Sequence, residues 1–106
     1  FLDRMSLIQE FSPQREIGAS SWFGFSVLIT NGEIKREAVI ERLNARGIES
    51  RPIVTGNFLR SPAMKFFNYE AEDAPNADNI HENGFFVGNS QGCLEKEIKY
   101  LKRILK

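Results

Sequence analysis

The ten residues 21–30, SWFGFSVLIT, constrain the fold of this chain more than any other stretch. Large apolar side chains occupy every second position, and alternate residues of a β-strand point to the same face of a sheet. The positions that share this face are Phe23, Phe25, Val27 and Ile29. The other face is mixed, and Gly24 on it is typical of a place where another backbone or a ligand comes close. The stretch predicts a strand with one face on the hydrophobic core.

A helix and a second strand follow directly. Residues 33–46 have acidic residues near their start, basic residues near their end and an apolar stripe made of Val39, Ile40 and Leu43. Gly47 is the kind of residue that commonly ends a helix. Residues 48–54 form the next β-run, in which Pro52 donates no backbone hydrogen bond and therefore favours a sheet edge. The three segments together predict a right-handed βαβ-like unit.

The second half of the chain completes the predicted domain. Its predicted elements are a helical turn over residues 63–69, an exposed connector over 70–76, a short helix over 77–83, a third strand over 85–88 and an amphipathic helix over 93–106. The apolar side chains expected to pack beneath the loop are Met64, Phe66, Phe67 and Tyr69. The predicted fold class is α+β: a small three-stranded, mostly antiparallel sheet with two main helices on one face.

Residues 1–20 are predicted to connect this domain to a preceding part of a longer protein. Leu2, Met5 and Ile8 lie at roughly helical spacing, which indicates the end of a helix, and residues 11–20 are typical of a connecting loop. The start of the chain carries no initiator Met and does not have the pattern of a signal peptide. With 106 residues, one cysteine and no long apolar run, residues 1–106 are expected to form one domain of a cytoplasmic protein.

The loop richest in hydrogen-bond donors leaves the second strand, over residues 51–62, RPIVTGNFLRSP. It contains two guanidinium groups, Arg51 and Arg60, and the amide of Asn57. Loops that leave a strand end commonly present binding groups on a rigid scaffold. The alternative is a surface turn whose arginines are solvated, and the residues of the loop alone leave both interpretations open.

The residue types argue against several kinds of catalytic and metal site. The chain has one histidine, His81, and one cysteine, Cys93, so a structural zinc site lacks ligands. A nucleophilic pair of these two is geometrically possible, but His81 lies in a polar segment and is interpreted as solvated or helix-capping. The glycines of GFFVGNSQG lack the Gly-Lys-Ser/Thr ending of a phosphate-binding loop. No catalytic residue and no metal ligand is therefore predicted.

Nucleic-acid binding is a remote alternative. WFGFSVLI resembles the aromatic strand of an RNA-recognition fold, in which alternate aromatic side chains stack on bases. The chain has 14 basic and 14 acidic residues, so it carries no net positive charge toward nucleic acid or an anionic membrane. Neither is an expected partner.

Three stretches taken together resemble one known family. They are SWFGF at 21–25, GIESRPIVTGNFLRSP at 47–62 and NADNIHENGFFVGN at 76–89. Their order and spacing are similar to the C-terminal small domain of the DegT/DnrJ/EryC1/StrS family of sugar aminotransferases and dehydratases, which depend on pyridoxal phosphate. The resemblance covers nearly all of the chain. Within the family, RPIVTGNFLR followed by FFVGN looks most like the nucleotide-4-keto-6-deoxyhexose 3-dehydratase branch, with the aminotransferases as the neighbouring possibility.

The resemblance implies a fold like the small C-terminal domain of fold-type I enzymes, and a division of labour. The family's large domain holds the cofactor and the catalytic base. Pyridoxal phosphate is therefore expected in the full-length enzyme and not on this chain alone, which is not expected to be catalytic by itself. The implied partners are a nucleotide-linked sugar, the large domain and further copies of the chain. The implied role is deoxysugar modification for cell-surface polysaccharide or lipopolysaccharide biosynthesis.

The resemblance also implies which residues face the substrate. Arg51 and Arg60 suit phosphate oxygens, because guanidinium groups bind them in a fixed geometry. Asn57 suits a sugar hydroxyl, and Trp22 and Phe58 suit packing against the sugar or the cofactor edge. The alternative is a free-standing module that binds nucleotide sugars or proteins. In either case, an apolar patch near Trp22 and residues 1–10 is expected to favour self-association.

Overall fold

One four-stranded antiparallel sheet organises the residues that the computed structural model describes, which are 9–53, 55–90 and 92–105. Its strands in chain order are β1 (Phe11–Pro13), β2 (Gly24–Ile29), β3 (Ser50–Pro52) and β4 (Gly84–Gly88). The order across the sheet is β1-β2-β4-β3, and each neighbouring pair is antiparallel. The predicted α+β class is confirmed, with four strands where three were expected.

The additional strand, β1, lies where the sequence predicts a connecting loop. It pairs with the end of β2 and places Phe11 opposite Ile29. Phe11 is buried, and its ring meets the ring of Phe85 edge-on with 6.3 Å between their centroids. A strand of three residues that ends in proline is too short to show an alternating pattern, so only its long-range pairing defines it.

The third strand of the prediction lies between the first two in the sheet. β4 pairs with both β2 and β3, which therefore run parallel to each other without being neighbours. The predicted βαβ-like unit is correct in the sequence of its elements and wrong in their adjacency. β3 lies at the edge of the sheet, as Pro52 predicts.

Three helices complete the described fold: α1 (Arg36–Ala45), α2 (Pro75–Asn83) and α3 (Glu95–Leu105). α1 begins later than predicted because Asn31 forms a turn, in which its Oδ1 accepts a hydrogen bond from the N–H of Glu33 at 2.9 Å. It is followed by Gly47 at a φ of +82°, the left-handed conformation that favours glycine. α2 begins two residues earlier than predicted because Pro75 fits the first turn of a helix.

The two longer helices cover one face of the sheet and enclose the core, as predicted. The buried apolar residues of this core are Phe11, Val27, Ile29, Val39, Leu43, Phe85, Val87, Leu101, Ile104 and Leu105. Leu43 of α1 and Phe85 of β4 are fully buried. Burial of apolar surface on this face supplies the main driving force for folding.

The opposite face of the sheet is covered in part by α2. A Cβ atom added at Gly84 would lie 2.9 Å from Cγ1 of Ile53 and 3.3 Å from Cγ2 of Ile80. Gly84 directly follows α2, so glycine at this position lets the chain pass from the last turn of the helix into β4 without these clashes.

Four aromatic side chains that were expected to be buried are exposed. Phe23 is 95% exposed, because β2 begins only at Gly24 and Phe23 precedes the paired part of the strand. In the predicted helical turn, Met64 is buried whereas Phe66, Phe67 and Tyr69 are exposed, because the segment forms a 3-10 turn, Pro62–Phe66, on the surface. The predicted end of a helix over residues 1–10 lies almost wholly outside the described residues.

Candidate functional site

The candidate loop follows β3 and contains two 3-10 turns, Phe58–Arg60 and Pro62–Phe66. Asn57 caps the first turn, since its Oδ1 accepts a hydrogen bond from the N–H of Leu59 at 3.1 Å. Ser61 caps the second turn, since its Oγ accepts from the N–H of Ala63 at 3.3 Å. Such caps satisfy backbone donors that the short turns leave free, and they give the loop a defined shape.

Asn57 is buried, with 8% of its surface exposed, and its side chain binds within the protein. Its Nδ2 donates to Oδ1 of Asp78 at 2.7 Å while its Oδ1 caps the 3-10 turn. Its backbone N–H donates to Nδ1 of His81 at 3.3 Å. The contacts of Asn57 are those of a residue that holds the loop, and its predicted contact with a sugar hydroxyl stays a prediction.

Arg60 and Phe58 lie on the outer side of the same loop. Nη1 of Arg60 is 3.0 Å from Oε1 of Glu82 and 3.9 Å from Oδ1 of Asp78. A phosphate group that approached Arg60 would therefore meet two carboxylates as well as the guanidinium. Phe58 is 56% exposed, and its ring is available to pack against a ligand.

Arg51 lies on β3, on the face of the sheet opposite the core. It stands directly across from Phe86, which in turn stands across from Ser26. Directly opposite residues of an antiparallel pair share a face, so these three side chains form one row across the sheet. The guanidinium of Arg51 contacts the carboxylate of Glu49, with Nε 3.1 Å and Nη2 2.5 Å from Oε1. Both side chains are largely exposed, so this pair can rearrange around an incoming anion.

Trp22 lies two residues before β2 and has a backbone conformation that is unusual for its type. Its φ is +50°, in the left-handed region that a bulky side chain rarely adopts. Its carbonyl oxygen accepts a hydrogen bond from Nδ2 of Asn89 at 2.8 Å, and its Nε1 donates to Oε2 of Glu16 at 2.6 Å. Hydrogen bonds to both the backbone and the indole hold Trp22 in this conformation. Strained backbone conformations of this kind are found more often at functional sites than elsewhere.

A groove of about 440 Å³ runs along the open part of this face. Trp22 and Phe86 give it aromatic walls, and Ser26 and Thr55 add hydroxyl groups. A Cβ atom at Gly24 would lie 3.1 Å from the carbonyl oxygen of Val87 and 3.1 Å from the ring of Phe86, so the prediction that another backbone comes close at this glycine is correct. The predicted site residues thus fall into two groups: Trp22 and Arg51 on the sheet face, and Asn57, Phe58 and Arg60 on the loop.

The sequence analysis missed the part of α2 that holds the loop. His81 was interpreted as solvated or helix-capping, whereas it is half-buried and its Nδ1 accepts the N–H of Asn57. Asp78, His81 and Glu82 are spaced as i, i+3 and i+4, which puts them on one face of a helix. That spacing was visible in the sequence, but the partner of this face, some twenty residues earlier in the chain, was not.

Arg36 ties α2 to the core side of the fold. Its Nη1 donates to the carbonyl oxygen of His81, and its Nη2 lies 2.9 Å from Oε1 of Glu37. Hydrogen bonding to its own backbone N–H, followed by its bond to Arg36, lowers the pKa of Glu37 below its ordinary value. The charged form of Glu37 is thus favoured at the start of α1, where the helix dipole also favours a negative charge.

A Schiff-base lysine needs a pocket beside a phosphate cradle. Lys65, which lies over the ring of Phe66, and Lys99, which pairs with Glu95 on the surface, do not have such surroundings. Within residues 9–53, 55–90 and 92–105, no group of three His, Cys, Asp or Glu side chains could hold a metal ion. In the same part of the chain, no helix has the length and apolar character needed to cross a membrane.

The sheet, its two covering helices and the three motif stretches correspond to a known family. The sequence profile of the DegT/DnrJ/EryC1/StrS aminotransferase family matches residues 2–106. The chain therefore belongs to the DegT/DnrJ/EryC1/StrS aminotransferase family.

Individual relatives lie in the dehydratase branch of the family. The chain is 45% identical over 109 residues to the GDP-4-keto-6-deoxy-D-mannose 3-dehydratase of Escherichia coli O55:H7 (strain CB9615 / EPEC), a match that covers 100% of this chain and 28% of that protein. It is 46% identical over 96 residues to the enzyme of the same name from Yersinia pseudotuberculosis, a match that covers 88% of this chain and 24% of that protein. The predicted resemblance to this branch is confirmed.

The fold agrees with a solved structure of the same branch. The E. coli GDP-4-keto-6-deoxy-D-mannose-3-dehydratase with bound hydrated PLP superposes with a TM-score of 0.90 at 44% identity, over 99% of this chain and 28% of that one. This chain thus spans about a quarter of the length of the relatives that it matches, 28% and 24% of the two curated enzymes.

Proposed function

We propose that this chain is the C-terminal small domain of a pyridoxal-phosphate-dependent 3-dehydratase that acts on a nucleotide-linked 4-keto-6-deoxyhexose. The observation that carries the proposal is the 45% identity to a GDP-4-keto-6-deoxy-D-mannose 3-dehydratase over the whole of this chain. The match covers the whole chain and therefore spans the stretches around β3 and β4 that form the candidate site. Aminotransfer to the same class of sugar is the neighbouring activity within the family.

In this proposal, the chain binds and covers substrate, and the cofactor is held elsewhere in the enzyme. Pyridoxal phosphate, when bound, supplies the electron sink that a dehydration of this kind requires. Arg51 binds a phosphate oxygen of the nucleotide, and its exposed pair with Glu49 opens to allow this. Trp22, held in its unusual conformation, packs against the sugar. Phe58 and Arg60 close over the substrate from the loop.

The same proposal includes a cellular setting. We propose that the enzyme works in the cytoplasm, on the route to a cell-surface polysaccharide or lipopolysaccharide, and that it forms a dimer. Exposed apolar side chains support self-association, because Phe23 and Phe66 are 95% and 78% exposed. Sedimentation of the chain over a range of concentrations tests the oligomeric part, and a monomer at high concentration contradicts it.

A segment exchange tests the activity. The matching segment of the E. coli dehydratase is replaced by this chain, and removal of the 3-hydroxyl from GDP-4-keto-6-deoxy-D-mannose is measured with added pyridoxal phosphate and glutamate. Loss of this hydroxyl with the ketone retained is a two-electron reduction, and glutamate, the amino acid trapped on PLP in a solved structure of such a dehydratase, is the donor that supplies it. We expect the chimera to bind the cofactor and to retain the activity, because the 45% identical segments share one fold. The parent enzyme is the positive control, and the chimera with Arg51→Ala tests the site. A chimera that folds and binds cofactor but carries out only aminotransfer, or neither reaction, contradicts the proposal.

A second measurement separates a domain from a free-standing module. Calorimetry with GDP and with the nucleotide sugar is carried out on the 106-residue chain itself. The proposal expects weak binding, because the cofactor half of the site lies outside this chain. Tight binding by the chain alone favours the module.

A further inference from the structure

We infer that His81 and Asp78 of α2 are positioning residues: they form a clamp that fixes the loop from Gly56 to Arg60 in the conformation used to bind substrate. The term clamp denotes one face of α2 made of Asp78, His81 and Glu82. Asp78 and His81 bind Asn57, and Glu82 binds Arg60. Its structural part follows from contacts within the described residues, and its effect on catalysis rests on the proposed function. Two of the stretches that carry the family resemblance, 47–62 and 76–89, contain the loop and the clamp. The contacts between the loop and the clamp give a reason why both stretches occur in one chain.

The loop and α2 touch first through their backbones. A Cβ atom built on Gly56 would lie 2.4 Å from both Cα and the backbone nitrogen of His81. Real Cβ atoms do not approach a backbone this closely, so only glycine lets the loop lie against the helix here. Gly56 therefore fixes the distance between the two segments.

Side chains of α2 then bind the loop residues that follow. Nδ1 of His81 accepts the backbone N–H of Asn57 at 3.3 Å, and Asp78 accepts from the Asn57 amide at 2.7 Å. Glu82 accepts from Arg60 at 3.0 Å. Because Asn57 is buried, loss of either acceptor leaves a polar group without its partner in a site that excludes water.

The clamp itself is attached to the core side of the fold. Arg36, at the start of α1, donates to the carbonyl oxygen of His81, and the Arg36 side chain is 15% exposed. α1 carries the fully buried Leu43, so the position of His81 is set by an element that cannot shift without disturbing the core. The loop is thereby held to the rigid part of the molecule.

Holding the loop in one conformation is expected to change KM more than kcat. Phe58 and Arg60 lie in the 3-10 turn that Asn57 caps. Because the clamp holds Asn57, it fixes where this turn begins. A loop that is already ordered loses less conformational entropy when substrate binds, which lowers KM. The reacting groups are held elsewhere in the proposed enzyme, so kcat is expected to change little.

Two substitutions at one position test the clamp in the chimeric dehydratase. His81→Phe keeps a ring of similar size and removes the acceptor, and we expect it to raise KM about threefold to tenfold with kcat unchanged, the range of one lost hydrogen bond. His81→Asn places Oδ1 near the position of Nδ1, and we expect it to restore KM. Asn79→Ala is the matched control and should leave KM unchanged, because Oδ1 of Asn79 accepts a hydrogen bond from Nδ2 of Asn83 in the same helix. A His81→Phe enzyme with normal KM, or a His81→Asn enzyme that is no better, overturns the inference.

Amide hydrogen exchange in the 106-residue chain tests the clamp without reference to any activity. We expect the Asn57 amide to exchange at least several-fold faster in the His81→Phe chain than in the wild-type or His81→Asn chain. Equal exchange in all three overturns the clamp. Faster exchange, combined with a wild-type chimera that lacks dehydratase activity, leaves the clamp standing and contradicts the proposed function instead.

Discussion

The two faces of the sheet are held by different kinds of interaction. On the covered face, α1 and α3 bury ten apolar residues in one core. On the other face, α2 holds the loop from Gly56 to Arg60 mainly through hydrogen bonds and ion pairs, and the following segment exposes Phe66 and Phe67. The covered face gives the fold its stability, whereas the other face presents exposed polar and aromatic groups.

This difference explains where exposed aromatic residues can be tolerated. A domain of this size gains most of its stability from one core, so a second surface can carry apolar side chains that bury little in the isolated chain. Such side chains reduce solubility unless something covers them. We therefore expect substitutions on the two faces to separate cleanly into those that change stability and those that change binding.

The largest expected difference in stability is between two Phe→Ala substitutions, one on each face of the sheet. Phe85→Ala empties a fully buried position of the central strand and should lower the free energy of unfolding by about 3–5 kcal/mol. Phe66→Ala, at a position that is 78% exposed, should change it by less than about 0.5 kcal/mol. Urea unfolding followed by circular dichroism measures both. Comparable losses would show that the segment after the loop is part of the core.

Two glycines provide the next comparison. Gly47 has a φ of +82° and open space around it, so Gly47→Ala should cost about 1–2 kcal/mol of backbone strain alone. Gly56 faces the backbone of His81, so Gly56→Ala should cost about 1–3 kcal/mol and also displace the loop. Amide exchange distinguishes them, because only Gly56→Ala should accelerate exchange at Asn57. A protected Asn57 amide in that variant would mean that the loop and α2 move together.

The difference between the two faces also explains which features of the fold could be predicted from the sequence. Val39 and Leu43 recur at helical spacing, and Val27 and Ile29 alternate as in a strand, so the α+β class and the helix-covered face follow from periodicity. β1 and the central place of β4 did not follow, because both depend on pairing between distant segments. The clamp was missed for a related reason: its hydrogen bonds join residues 21 to 24 positions apart, and polar residues on a helix face are usually solvated.

In the candidate site, sequence reasoning selected the loop over residues 51–62 and assigned its residues by chemistry alone. A free guanidinium or amide in a loop has the same sequence signature whether it faces a ligand or a neighbouring helix. Burial of Asn57 and the two carboxylates beside Arg60 are properties of the tertiary structure. Arg51, on the exposed sheet face, has the fewest such contacts among the polar candidates, and it is the one that we expect to bind the nucleotide most directly.

The two arginines give a smaller effect that sharpens this assignment. Arg51→Ala breaks an exposed pair with Glu49 and should change the free energy of unfolding by less than about 1 kcal/mol. Arg60→Ala loses two carboxylate contacts and should have the larger stability effect of the two, still of the order of 1 kcal/mol. In the chimeric enzyme the order should reverse, with Arg51→Ala raising KM more. If Arg60→Ala raises KM more, the loop and not the sheet face binds the phosphates.

The smallest expected effect concerns the link between the two faces. The folded-state pKa of Glu37 lies below its ordinary value, so ionised Glu37 stabilises the fold at neutral pH, and this contribution is lost as pH falls below the ordinary range through the folded-state pKa. The wild-type chain should thus be slightly more stable than Glu37→Gln at pH 7, and the difference should shrink as the pH is lowered through the folded-state pKa, which urea unfolding over a series of pH values measures. Glu37 also binds Arg36, which holds the carbonyl of His81, so Glu37→Gln should accelerate exchange of the Asn57 amide at pH 7. An unchanged Asn57 amide would show that Arg36 anchors α2 without help from Glu37, and that the clamp is independent of charge at the start of α1.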